Sequence, residues 1–180
     1  MREMFPYRGY AGKYLEVDLG SGQVETVELD ERLARAYLGG NGFGTRLLWE
    51  RVPPAVDPLS PDNILVFATG PLNGTLMPNS GRMELIFKSP LTGIYGDSNV
   101  GGFLGPELKF AGFDMVVCRG RSAVPVYLWI RDGRAELREA GHLWGRDTVE
   151  TEELIQKELR DEGIKVACIG PAGENLVHYA

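Results

Sequence analysis

NILVFATGPLNGTLMPNSGRMELIFK, Asn63 to Lys88, holds two apolar runs, one on either side of a glycine-rich loop. Its two ends, Asn63–Thr69 and Met83–Lys88, carry apolar residues on both faces of an extended chain, which predicts two strands central in a sheet. Between them glycine, proline and asparagine dominate, the composition of a loop.

Upstream, Val52–Asp62 holds Pro53, Pro54, Pro58 and Pro61, which fix φ and remove amide donors, so this is a stiff surface connection. It is no domain boundary, because a strand follows at once. Tyr14–Leu19 and Gln23–Leu29 alternate apolar and polar residues around Gly20-Ser21-Gly22, which predicts a hairpin with one wet face. Asp30 is placed to cap a helix through Arg32–Leu38. Gly39, Gly40, Gly42 and Gly44 interrupt that helix before a second helical turn carrying Leu47, Leu48 and Trp49.

Downstream, Phe103–Phe110 predicts a short helix with Pro106 in its first turn and Gly112 as its stop. Met115–Cys118, Val126–Arg131 and Ala135–Arg138 predict strands, with Asp132-Gly133 as a hairpin turn. Asp147, with Glu150 three residues on, forms a capping box for a helix Thr148–Asp161, whose buried stripe is Leu154, Ile155 and Leu159 and whose terminator is Gly163. Lys165–Ile169 and Leu176–Tyr179 are expected as a closing strand pair around Gly170-Pro171-Ala172-Gly173. No internal repeat is present.

The chain has 180 residues, 43% of them apolar, enough for one sizeable core and a single domain, residues 1–180. A formal charge of −6 argues against nucleic acid or an acidic membrane as partner, since both need a basic surface. No segment reaches the roughly 18–20 apolar residues of a membrane span, and Met1–Tyr10 is charged where a secretory leader is apolar, so the cytoplasm is the expected compartment. Cys118 and Cys168 sit in apolar strand-like runs and are expected as buried small hydrophobes. Neither has a ligand at metal spacing, and His142 and His178 supply none. Tyr127, Trp129 and Trp144 are expected to pack in the core or sheet, and Glu150, Glu152, Glu153, Glu158 and Asp161 to form a solvated helix face.

Candidate chemistry gathers in Thr92–Gly112, where glycines surround Asp97-Ser98-Asn99 ahead of the short helix. Bare, mobile backbone of this kind wraps an anion or a cofactor phosphate, and the segment is expected as a cofactor cradle. Arg82, after Ser80-Gly81, either forks two donors onto a phosphate or pairs with a carboxylate at a strand start. Asn99 either offers hard oxygen to Mg²⁺ or simply takes a left-handed turn. Gly101 and Gly102 allow close approach of a ligand or cap a helix. Gly39-Gly40-Asn41-Gly42 is a weaker second nest that plain chain reversal explains equally well.

Eight blocks, LGGNGFG (Leu38–Gly44), VDPLSPDN (Val56–Asn63), FATGPLNGT (Phe67–Thr75), SGRMELIFKSPLTG (Ser80–Gly93), GDSNVGGFLGPELKFAGFD (Gly96–Asp114), PVYLWIRDG (Pro125–Gly133), HLWGRDTVETE (His142–Glu152) and ACIGPAGENLVHYA (Ala167–Ala180), occur in order and without large gaps. Together they resemble the N-terminal domain of the tungsten-containing aldehyde ferredoxin oxidoreductases. The resemblance implies an α+β fold in which two mainly antiparallel sheets form the base of a pterin site. It places Arg82 by the pterin phosphate, gives Asn99 a backbone carbonyl on Mg²⁺, and lets Gly101 and Gly102 pass close to the pterin. In that family two pterins, a bis-molybdopterin set, chelate one tungsten. Many relatives carry arginine where this chain has Asn41, so that position contributes no charge here.

The family also uses four cysteines for a 4Fe-4S cluster and acid–base residues near tungsten, which the resemblance assigns to C-terminal domains beyond this chain. Such enzymes oxidise aldehydes to carboxylic acids and pass electrons to ferredoxin. The chain alone is then expected to be inactive and empty of cofactor, with those domains, ferredoxin and a possible homodimer mate as partners. Substrate, acceptor and the choice of tungsten over molybdenum rest on residues outside it. The other reading is a non-catalytic scaffold or partner-binding protein that keeps the fold without cofactor.

Overall fold

The computed structural model describes residues 8–179. The expectation for Met1–Tyr10 falls mostly outside the described residues. In chain order the elements are β1 (Lys13–Asp18), β2 (Gln23–Glu28), α1 (Glu31–Tyr37), α2 (Asn41–Arg51), β3 (Ile64–Ala68), β4 (Met83–Lys88), β5 (Tyr95–Val100), α3 (Leu104–Phe110), β6 (Met115–Arg119), β7 (Val126–Arg131), β8 (Arg134–Glu139), α4 (Thr148–Leu159) and α5 (Gly170–Glu174).

Six strands form one sheet in the order β2-β1-β6-β3-β4-β5, and β7 and β8 pair separately. The apolar runs of the opening stretch become β3 and β4, both interior, as their two-sided hydrophobicity requires. Alternation then sorts their side chains. Ile64, Val66, Ala68 and Ile86 join Met115, Val117 and Tyr14 under α1 and α2, where Phe43, Leu47 and Leu48 complete the cluster. On the opposite face Leu15, Val17 and Val116 pack with Phe113 and Leu108, backed by Phe67, Leu128, Ile130 and Leu137. The small sheet therefore lies over the large one, a layered α+β arrangement. A third cluster, Ala140, Leu143 and Ile155 with Leu154, Leu159 and Tyr127, seats α4 beside the small sheet.

Buried polar groups tie these layers together. The Asp114 carboxylate, 1% exposed, accepts from Ala11 N (3.0 Å) and Gly12 N (2.8 Å) and pairs with Lys109 Nζ, so it joins the chain before β1, the end of α3 and the start of β6. Lys88 Nζ donates to Pro54 O (2.6 Å) and Val56 O (2.5 Å), and Asn63 Nδ2 to Pro58 O (2.8 Å), which anchor the proline-rich connection to β3 and β4.

Several expectations stand. The β1–β2 hairpin is antiparallel, Asp30 accepts from Arg32 N to cap α1, Asp147 and Glu150 form the capping box, and Asp132 and Gly133 turn with positive φ. Others need correction. The hairpin's wet face is confined to β2, because β1 lies between β2 and β6 and is buried on both sides. The β1–β6 pair is parallel, the one departure from antiparallel pairing among the described residues. The expected second sheet has two strands, and 164–169 with 176–179 form no closing strand pair, since Gly170–Glu174 coils into α5 with Pro171 in its first turn. Helix α4 ends at Leu159, where Arg160 turns left-handed, three residues before Gly163. Cys168 is exposed rather than buried, and Trp144 is 53% exposed, so neither is a core residue. Glu158 is no free surface charge: Tyr127 Oη donates to it at 2.8 Å and His142 Nε2 lies 3.0 Å away.

Gly42 and Gly44 lie inside α2 rather than breaking it. A Cβ on Gly42 would stand 2.1 Å from the Tyr37 carbonyl oxygen, and one on Gly44 would stand 2.4 Å from Ile86 Cδ1. The glycines let α2 close onto α1 and β4. Gly42→Ala gains about 1 kcal/mol of helix propensity and is expected to lose more by overpacking, for a net destabilisation of about 1–2 kcal/mol in urea denaturation.

Candidate anion and cofactor site

The site grows from the register of β4 with β5, in which Met83 faces Val100, Glu84 faces Asn99 and Ile86 faces Asp97. The triplet Asp97-Ser98-Asn99 is thus part of edge strand β5 and not the loop expected from its polarity. Its glycine neighbour explains part of this. A Cβ on Gly96 would meet the Phe87 ring and Ser89 Cβ at 2.9 Å, so a small residue is required where the strand crosses them.

Arg82 stands just ahead of β4. Its Nη1 donates to Asn99 Oδ1, and Asn99 Nδ2 donates to Glu84 Oε1. No ion pair to Arg82 is found among the described residues, which sets aside the structural carboxylate partner considered above. Its guanidinium borders a cavity of about 590 Å³, lined also by Thr75, Ser80, Gly81, Gly101 and Gly102. Asn99 touches Arg82 without lining that cavity.

Glycine serves two purposes here. A Cβ on Gly81 would lie 2.5 Å from Gly102 O, so the turn before Arg82 and the link from β5 to α3 run backbone against backbone. At Gly101 and Gly102 an added Cβ would meet nothing within 4 Å. Gly102 has φ +81°, which favours glycine on conformational grounds, whereas Gly101 is required by nothing in the chain's own packing. Open backbone beside a guanidinium suits a flat anionic ligand, so the residues fit a pterin phosphate.

A second cavity of about 270 Å³ lies across Arg82, lined by Leu38, Gly39, Gly40, Asn41 and Glu84. The two glycine nests seen in the sequence therefore meet at one arginine. Asn41 contributes no charge; its Nδ2 lies 3.5 Å from Asp97 Oδ2, and Tyr95 Oη donates to its Oδ1 at 3.2 Å.

Some of the machinery escaped the sequence. Asn73 Nδ2 donates to Arg82 O at 2.9 Å while its Oδ1 accepts from Gly70 N at 2.8 Å, fixing the loop that carries the arginine. Glu84 was also missed. Its signal was a polar residue two positions after Arg82 in an apolar strand, hence on the same face. Around the larger cavity, Leu76, Met77, Phe103 and Phe110 stand exposed as an apolar rim.

Compared with known families, the chain matches the profile described as aldehyde ferredoxin oxidoreductase, N-terminal domain, over residues 14–180. The chain belongs to that family. Among curated aldehyde ferredoxin oxidoreductases, it is 48% identical to the tungsten-containing enzyme of Pyrococcus furiosus over 172 residues, covering 96% of this chain and 28% of that protein. A more distant relative, the aliphatic sulfonate oxidoreductase WOR-like subunit of the same organism, is 36% identical over 95% of this chain and 30% of its own length. Of solved structures, the active-site complex BamBC of benzoyl coenzyme A reductase, in complex with 1,5 dienoyl-CoA, superposes with a TM-score of 0.94 at 46% identity. That match covers 96% of this chain and 26% of the other. The chain thus spans little more than a quarter of these aldehyde ferredoxin oxidoreductase relatives.

Perturbed titratable groups in this family member lie away from the cavity. Asp18 is held low by the Ser21 and Gly20 amides and by Arg119, and the Tyr127 hydroxyl is raised by burial and by Glu158. Burial pushes the Cys118 thiol up to about 12, and that of Cys168 more modestly. At pH 8 iodoacetamide is expected to alkylate exposed Cys168 well before Cys118, read by mass spectrometry of the peptides.

Proposed function

We propose that this chain seats the pterin phosphate of a tungstopterin cofactor for an enzyme that oxidises aldehydes to carboxylic acids. The observation that carries this reading is Arg82: a guanidinium without a carboxylate partner among the described residues, held by Asn99 on the wall of a cavity with bare backbone at Gly101 and Gly102. A planar fork of donors matches phosphate in two places at once. The open glycines leave room for the ring system, and Asn99 offers its backbone carbonyl to Mg²⁺. When bound, the cofactor supplies the two-electron chemistry, and this chain supplies position and charge.

The apolar rim of Leu76, Met77, Phe103 and Phe110 supports the remainder of the reading. Exposed apolar surface gathered around a cavity marks an interface, and the far greater length of the relatives supports a cover made by further domains of the same enzyme. Residues 1–180 then form one N-terminal domain, silent by itself, and the following domains carry the 4Fe-4S cluster and the acid–base residues. Ferredoxin as electron acceptor, a homodimer and a cytoplasmic location belong to the same proposal. Among the described residues no helix is long and apolar enough to cross a membrane.

The test uses the native protein isolated from cells grown with tungstate, with tungsten measured by mass spectrometry and pterin by fluorescence after oxidation. Arg82→Ala is expected to retain at least tenfold less of both, and Arg82→Lys an intermediate amount, since lysine keeps the charge and loses the fork. Full retention by Arg82→Ala rejects the proposal.

A further inference from the structure

We infer that Glu84 is a positioning residue for this site: through the Asn99 side-chain amide it holds the Arg82 guanidinium toward the cavity without neutralising it. The inference rests on the cofactor seat proposed above.

Three side chains form an unbroken line, Glu84 to Asn99 to Arg82. Their chemistry permits one arrangement. A carboxylate only accepts and a guanidinium only donates, so the amide between them must turn its nitrogen to Glu84 and its oxygen to Arg82. The partners alone thus fix the orientation of Asn99, the point usually ambiguous for an asparagine. Backbone register supplies the alignment, because Glu84 and Asn99 are directly opposed and Arg82 lies two residues back on the same face. From the other side the 39–41 loop closes on Glu84, where a Cβ on Gly40 would stand 3.4 Å from Glu84 Cγ.

The interposed amide matters electrostatically. Were Glu84 to reach Arg82 directly, the ion pair would cancel the charge an incoming phosphate needs. A neutral amide transmits orientation and leaves the remaining guanidinium donors free for the ligand. Glu84 thereby steadies the cationic side chain at the boundary of both cavities.

A double-mutant cycle in the native protein tests this, with retained tungsten and pterin read against Tm. Glu84→Ala and Asn99→Ala are each expected to lower retention three- to tenfold. The double variant should fall no further than the worse single one, because both residues act along one line. Glu84→Gln should hold near-native amounts, since its carbonyl still accepts from Asn99. Should Glu84→Ala fail to fold, Glu84→Asp decides in its place: it keeps the charge but withdraws it by one methylene, and retention should fall equally. Native retention in Glu84→Ala or Glu84→Asp, with loss in Arg82→Ala, overturns the role of Glu84 and leaves the seat intact. Losses that multiply in the double variant overturn the relay through Asn99. A lowered Tm with unchanged retention makes the ladder a mere strand staple. Full retention in Arg82→Ala removes the seat itself, which separates the two failures.

Discussion

The pairing register of β4 with β5 governs most of what this molecule presents to a ligand. Because side chains alternate across a strand, a slip of one residue would carry Asn99 to the opposite face of the sheet and leave both Arg82 and Glu84 without it. The turn between these strands helps to hold the register, with Ser89 N donating to Ile94 O and Gly93 N to Ser89 O at 2.8 Å each and Gly93 at φ +72°. Burial locks it. Ile86 packs fully under α2, Met83 is buried, and Lys88 is tied to Pro54 and Val56, so β4 cannot shift without dismantling the core. Strand β5 then inherits its alignment from β4.

The same logic extends to the layers. One face of the large sheet is sealed by α2, whose glycines bring its axis close to β4, and the other by the small sheet and α3. Helix α3 matters to the site because its N-terminal approach carries Gly101 and Gly102 past Gly81. The buried Asp114–Lys109 pair fixes its far end. A buried ion pair contributes little net stability of its own, yet leaving either member unpaired costs several kcal/mol, so the pair acts mainly by forbidding alternatives. The same layers recur in the benzoyl coenzyme A reductase chain on which 96% of this chain superposes.

Where hydrophobic pattern or capping chemistry was strong, the sequence was enough: β3, β4 and β6 read correctly from their apolar runs, α4 from its buried stripe apart from its last turn, and Asp30 and Asp147 marked their helices. Where structure is set by long-range contact, it was not. Strand β5 is polar because it lies at an edge, so nothing in Tyr95–Val100 announces a strand apart from its partner. Gly42 and Gly44 look like helix breakers until the carbonyl of Tyr37 and the side chain of Ile86 are seen against them. Residues 165–169 and 176–179 have strand composition, yet the described residues bring no partner strand to either, and 176–179 bends into turns after α5. Of the candidate site, Arg82 and its glycines stand out in the sequence because a charged residue in a glycine turn is conspicuous. Glu84 and Asn73 were not, since an isolated acid or amide gains meaning only from what it faces.

The parallel pairing of β1 with β6 has a consequence for synthesis on the ribosome. The hairpin emerges first, yet its inner edge and the amides of Ala11 and Gly12 must wait for Asp114, 103 residues downstream of Ala11, and for the strand behind it. Strands β3, β4 and β5 are contiguous and can assemble from local hairpins in the meantime. The topology thus imposes an order of completion on the nascent chain, with the segment made earliest among the last to find its place.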